Sequence, residues 1–346
     1  MKKLILPLIL VLFQSQYSVA QTFNSPVEYL EYVNKIEEPI TKQTWKYTKT
    51  VAHSKSARRI ENVRKALVKT IQTAKSSLEK NTNGYKGDVD FHKKVIEYLT
   101  FSEYMIEEEY AKIVDMQEIA EQSYDYMEAY ITTREKVDAR MDEEHNKLVE
   151  AQKEYAKKYD ITLIDGGETE ISKKMKLSNQ VFKYHSDIYL VFFKCNYTDQ
   201  LLQKSIETKD LAAIQQNTNA LQQYAEEGIV KIDTFEPIKN DKLLANATKE
   251  CLKMYAEQAK NYVPKVVDFI TFNSQFEDAK AAFERKTNKE RTKEVVDEYN
   301  TMINQINKRI NDYNSLNTNT INTKNRLLNN WENVGNQYIA KYVPNE

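Results

Sequence analysis

The amino-acid sequence predicts an all-α fold: two tandem four-helix-bundle-like halves with long helices, preceded by a cleaved signal peptide. Three observations predict it. The 346 residues include only six glycines and six prolines, where ordinary usage would put roughly 12% in the two together, so folds that need many tight turns are excluded. From Asp88 to Asp165 neither residue occurs. Apolar side chains, 41% of the chain, recur every three or four positions over nearly its whole length, the period of a helix with one buried face.

The chain opens with a short positive head, Met1-Lys2-Lys3, followed by the uncharged apolar run Leu4 to Phe13 and the small residues of Ser18-Val19-Ala20. This is the pattern of a secretory signal peptide over 1–20, since a hydrocarbon core needs about 20 residues of helix and the run is shorter. Cleavage leaves Gln21 to Glu346 with 48 basic and 51 acidic residues. Nothing later in the sequence reads as a transmembrane helix, and no cysteine near the cleavage point offers a lipid anchor. An extracytoplasmic location is expected: periplasm, cell surface or secreted. The near-neutral balance has no one-sided basic stripe of the kind that binds nucleic acid.

Helix starts and stops follow in order. Ser25-Pro26-Val27-Glu28 combines a capping hydroxyl, a proline at the first helical position and a glutamate able to reach back to the cap amide. The stripe Val27, Leu30, Val33, Ile36, Ile40 continues from it, with Pro39 expected to kink the helix. After Ser56, Ile60, Val63, Leu67, Ile71, Ala74 and Leu78 form a second stripe that Asn83-Gly84 ends. Asp115 and Glu118 resemble a capping pair, which places a corner near 115 between a third helix over 90–114 and a fourth over 116–159. Ile161 to Gly167 breaks the pattern. Helices are then expected over 177–206 and 209–233, and from Asp241 to Pro264. A long pattern follows through Phe272, Phe283, Tyr299 and Tyr313, weakened over Asn314 to Asn325, before a last helix through Leu327, Trp331 and Tyr342. These breaks place an N-terminal bundle at 21–160, a linker at 161–177 and a C-terminal bundle at 178–346. The halves share an order of elements, and at an offset of 153 residues 97–115 match 250–268 at Glu97/Glu250, Leu99/Leu252, Lys112/Lys265, Val114/Val267 and Asp115/Asp268.

Candidates for chemistry are few. Cys195 and Cys251 fall on apolar faces at helix depths that differ by roughly 10 Å, so two buried thiols are expected rather than a disulfide. His53, His92, His145 and His185 lack a zinc-protease or di-iron spacing; Asp142 with His145 is the single His/carboxylate pair three apart, and packing explains it better than metal binding. Glu107-Glu108-Glu109 and Asp142-Glu143-Glu144 point around their helices as solvated faces. Asp88-x-Asp90 lacks the later ligands of a calcium loop and suits a helix cap. No glycine-rich phosphate loop, nucleophile elbow or Cys-x-x-Cys occurs. The 23 tyrosines suit the wet edges of helical cores. No catalytic residue, cofactor or metal ligand is assigned.

Three stretches carry a resemblance: Asn24-Ser25-Pro26-Val27-Glu28-Tyr29-x-x-Tyr32-Val33, Tyr184-x-x-x-Ile188-Tyr189-Leu190-Val191-Phe192-Phe193-Lys194, and Leu327-Leu328-x-x-Trp331. They resemble a family of uncharacterised exported or surface all-helical proteins of Gram-negative bacteria. That resemblance implies an exported helical protein and brings no catalytic residues; the family often has a lipid-attachment cysteine, which this chain lacks. The expectation is an exported non-enzymatic protein that presents helix surfaces to an envelope or extracellular protein partner. The alternative is a bundle that encloses a small apolar or metal-containing ligand.

Overall fold

A computed structural model describes residues 23–54, 56–80, 84–163 and 169–345. The signal-peptide assignment, Asn83 and Gly166-Gly167 lie outside these residues. The described chain is all-α: α1 (Pro26–His53), α2 (Ala57–Lys80), α3 (Asp90–Tyr104), α4 (Tyr110–Ala120), α5 (Tyr124–Lys158), α6 (Glu170–Glu207), α7 (Leu211–Ile232), α8 (Leu243–Glu257), α9 (Val263–Glu284) and α10 (Lys293–Tyr342). Five-residue π turns join α3 to α4 at Met105–Glu109 and α8 to α9 at Gln258–Tyr262. Among the described residues extended pairing is limited to one isolated bridge, Tyr85 to Asp88.

Local signals placed several ends. Ser25 Oγ accepts from the Glu28 amide at 3.1 Å, while the Glu28 carboxylate takes the Asn24 amide at 2.7 Å, one residue before the expected cap. Gly84 has φ +53°, and a Cβ there would fall 1.9 Å from the Asp88 carbonyl oxygen, so only glycine fits. Elsewhere packing overrode the local signal. The helix runs unbroken through Asp115, because Ile113 and Ala120 on either side of it are buried; the corner comes at Ser123, whose hydroxyl accepts from the Tyr126 amide. Likewise α6 begins at Glu170, capped by Thr169, so residues 170–177 of the expected linker are helical. The long pattern after Asp268 breaks at 285–292, where Thr292 caps α10, and Asn314 to Asn325 lie inside that helix.

The two halves repeat one plan. Asp90 and Leu243, 153 residues apart, each start a 15-residue helix that ends in a π turn. Buried Phe91, Leu99, Met105, Ile106 and Ile113 correspond to buried Leu244, Leu252, Gln258, Ala259 and Val266. On α2 and α7 the offset is 154, pairing Leu67 with Leu221, Ile71 with Ala225, Ala74 with Gly228 and Leu78 with Ile232. Near the chain's end the offset reaches 183, pairing Tyr155 with Tyr338 and Tyr159 with Tyr342. That increase is the extra length of α9, its loop and α10 over α4 and α5, so the second copy carries the longer hairpin. The Tyr155–Tyr159 and Tyr338–Tyr342 ring centroids lie 4.8 and 5.0 Å apart, and Tyr29–Tyr155 and Tyr184–Tyr338 both 5.8 Å apart.

Each half has its own core, around Tyr29, Leu67, Leu78 and Leu99 in the first and Ile188, Leu202, Leu221 and Leu252 in the second. They meet along α5 and α6, where Phe193 packs with Ala120, Met127 and Ile131 and Arg134 Nη2 donates to Ser186 Oγ at 2.6 Å. Trp45 of α1 inserts into the second core.

Candidate functional site

The four histidines sit on four helices and do not converge. His145 is exposed rather than packed, its ring 5.9 Å from Tyr98; Asp142 is exposed too. His92 is buried and its Nδ1 lies 2.9 Å from Tyr29 Oη. His53 bonds the Val343 carbonyl at the junction of the halves. Burial, reinforced by Arg134, pulls His185 down to about 4, so it is neutral in the fold near pH 7. Among the described residues no group of three or more His, Cys, Asp or Glu side chains comes together to hold a metal ion. Cys195 and Cys251 are free and buried, and burial pushes both thiols up to about 12, which removes nucleophilic character.

Sequence reasoning missed the buried polar groups. In the first half, burial raises the Glu37 carboxyl to about 7, and its Oε1 has no hydrogen-bond partner among the described residues. In the second, Asp199 is fully buried. Lys324 of α10 pairs with Asp199 Oδ2, while Gln258 of the π turn and Gln203, at 3.3 Å, donate to Oδ1. Close by, Tyr255 Oη donates to Asn196 at 2.8 Å and Tyr262 Oη to Asn317 at 2.7 Å. A lone aspartate in a long helix gives no sequence signal of such a role.

Asp88, weighed above as a calcium ligand, is a structural acceptor instead. It takes Tyr159 Oη at 2.7 Å, Lys158 Nζ at 2.9 Å and the Asp90 amide at 3.3 Å. Asp241, 153 residues on, takes Tyr342 Oη at 3.0 Å, Lys341 Nζ at 2.7 Å and the Leu243 amide at 3.1 Å. Each follows two left-handed residues, Lys86-Gly87 and Lys239-Asn240.

The longer hairpin is the least enclosed part of the molecule. Beyond Val266, Ile306 is the one buried side chain until Gly335 among its described residues. The facing strip is aromatic: Phe269 stacks on Tyr313 at 4.5 Å and Phe283 on Tyr299 at 4.2 Å. The Arg309 guanidinium covers Phe272 at 4.3 Å. Its tip, 285–293, holds Arg285, Lys286, Lys289, Arg291 and Lys293 with Glu290 the single acid. No helix of the described residues is long and apolar enough to cross a membrane. Comparison with protein-family models, curated proteins and solved structures finds no match.

Proposed function

We propose that this is an exported, non-enzymatic protein that presents helix surfaces to an envelope or extracellular protein partner, and that the α9–α10 hairpin is the surface it presents. One observation carries the reading: the second copy of the repeat differs from the first chiefly by the extra length of this hairpin. Two helices cannot cover each other's apolar strips as a four-helix core does, so the extra length adds exposed face and basic tip rather than core. The N-terminal apolar run supports export. The scattered histidines and high-pKa thiols support a non-enzymatic role.

Replacement of 274–306 by Glu-Gln-Ser, the connection that the first half uses at 121–123, tests this. The shortened chain is expected to fold and to lose binding to envelope material, and a photoreactive group at position 286 of the intact protein is expected to crosslink to that material. Equal crosslinking from position 286 and from a bundle position such as 69 would refute the reading. The second reading, an enclosed small apolar or metal-containing ligand, has Glu37 in its favour, whose inward Oε1 has no partner among the described residues. Mass spectrometry of the protein under native conditions tests it, a stoichiometric mass increment lost in Glu37→Leu being the supporting result.

A further inference from the structure

The paired Asp88 and Asp241 turns are built alike and have diverged in their surroundings, in three respects. First, the wall of the second turn is basic. A groove of about 800 Å³ is bordered by Lys174, Lys239, Lys242 and Lys341, with Asp241 its single acid. Lys242 and Leu243 stand where the first turn has Val89 and Asp90. There Lys158 is shared between Asp88 and Asp90, at 2.9 and 3.7 Å, and the charges meet internally. In the second turn Asp241 is met by Lys341, and Lys174, Lys239 and Lys242 have no carboxylate within ion-pair distance among the described residues.

Second, two hydroxyls behind this wall lack the partners that their counterparts have. Tyr29 Oη is bonded to His92, and Tyr155 Oη donates to the Pro26 carbonyl at 3.3 Å. The corresponding Tyr184 and Tyr338 are 5% and 2% exposed, and neither hydroxyl has a hydrogen-bond partner within bonding geometry among the described residues. Ala245 replaces His92, and α6 is already helical at Val181, where α1 has its Pro26 start. Tyr338 packs on Tyr342 of the groove wall with ring centroids 5.0 Å apart, and Tyr184 packs on Tyr338 at 5.8 Å. Third, Leu177, Leu243, Tyr342 and Pro344 give the same groove an apolar side, with Leu243 61% exposed.

The geometry points to this groove as a binding site for an amphipathic oxyanion, its phosphate or carboxylate head held by Lys239 and Lys242 and its apolar body laid along Leu177, Leu243 and Pro344. Lysine ammonium groups serve such a head as point charges. The assignment is independent of the hairpin.

Titration with hexyl phosphate, followed through the amide resonances of 239–246, tests it. A saturable response is expected, about tenfold tighter than for inorganic phosphate. In Lys239→Ala/Lys242→Ala, both exposed positions, affinity falls by about tenfold or more; Lys86→Ala/Lys93→Ala at the first turn leaves it unchanged. Phosphatidylglycerol vesicles separate the sources. Co-sedimentation that needs Lys239 and Lys242 identifies a lipid headgroup, and its absence beside hexyl phosphate binding identifies a soluble anion. No saturable response, equal affinity for the two phosphates, or a response that survives the 239/242 double substitution overturns the assignment.

Discussion

Lys324→Met should be among the most damaging single substitutions in the second half. Asp199 is completely buried and Lys324 is its counter-ion, with the lysine side chain 22% exposed. Removal of the lysine leaves a carboxylate in the core with only the Gln258 and Gln203 amides facing it. Breaking a buried pair in this way costs about 3–5 kcal/mol, and for a unit of this size that corresponds to a fall in Tm of about 6–20 °C. Asp199→Asn retains an acceptor for Gln258, and Lys324 can turn toward water, so about 1–2 kcal/mol is expected. The double variant Asp199→Leu/Lys324→Met removes both charges and should lie within about 1 kcal/mol of the parent, or above it. Urea unfolding followed by tryptophan fluorescence reads this directly, because Trp45 and Trp331 both report on the second core. A Lys324→Met cost below about 1 kcal/mol, or a double variant as weak as the two singles summed, would refute the reasoning.

Three further outcomes are expected. Gly228→Val should cost about 1–3 kcal/mol by urea unfolding, since even a Cβ there would lie 2.8 Å from Val191 Cγ1 and 3.1 Å from Leu252 Cδ1. Tyr29→Phe should cost about 1 kcal/mol through its bond to His92, whereas Tyr184→Phe, with no bond to lose, should be neutral or stabilising; equal costs in thermal unfolding would contradict this. Two buried groups give opposite pH dependence. His185, down at about 4 in the fold, stabilises fully above the unfolded value near 6.5 and loses that as pH falls toward 4, at most about 3 kcal/mol. Glu37, up at about 7, stabilises fully below the unfolded carboxylate value and loses that as pH rises toward 7. Glu37→Gln should therefore steepen the rise of stability with pH between about 4.5 and 6.5, and His185→Gln should flatten or reverse it. Urea midpoints across that interval check both slopes.

Signals confined to a few residues were legible in the sequence. Ser25-Pro26 starts a helix whatever surrounds it, and the stripe Leu67, Ile71, Ala74, Leu78 names a buried face because its spacing is that of the helix itself. Asp115 misled for the converse reason: a capping pattern competes with continued helix, and burial of Ile113 and Ala120 decides the contest over a distance that the local pattern does not contain. The Asn/Thr-rich stretch shows the same effect with polar residues. Its propensity is poor, but Asn317 accepts from Tyr262 and Lys324 pairs with Asp199, so inward contacts from two other segments hold it helical. The π turns have no local signature. The Asp241 groove was invisible because Lys174, the turn at 239–243 and Lys341 lie far apart in the chain, and no one of them is unusual by itself.

The duplicated plan raises a problem of assembly that these polar groups solve. Two bundles of like topology in one chain invite the last helix of one half to dock in the other. The layers near the π turns differ in kind. In the first half Met105, Ile113 and Val137 form an apolar cluster, beside which buried Arg64 donates to the Ile106 and Glu107 carbonyls and Tyr110 to Asp138; in the second, Asp199, Gln258 and Lys324 form an ionic cluster. An α10 seated in the first half would bring Lys324 into the apolar cluster, and an α5 seated in the second would set Met141 against Asp199 with no counter-ion. The second exchange strands the buried Asp199 charge, at a cost of several kcal/mol. A partner in its own half meets no such penalty. One level along the helices, the contrast is reversed: the first half places Glu37 and Ser102 inside, and the second stacks Phe192 on Trp331 at 3.8 Å. The two cores thus place their buried polar groups differently, which fixes helix partners more firmly than two identical greasy cores could.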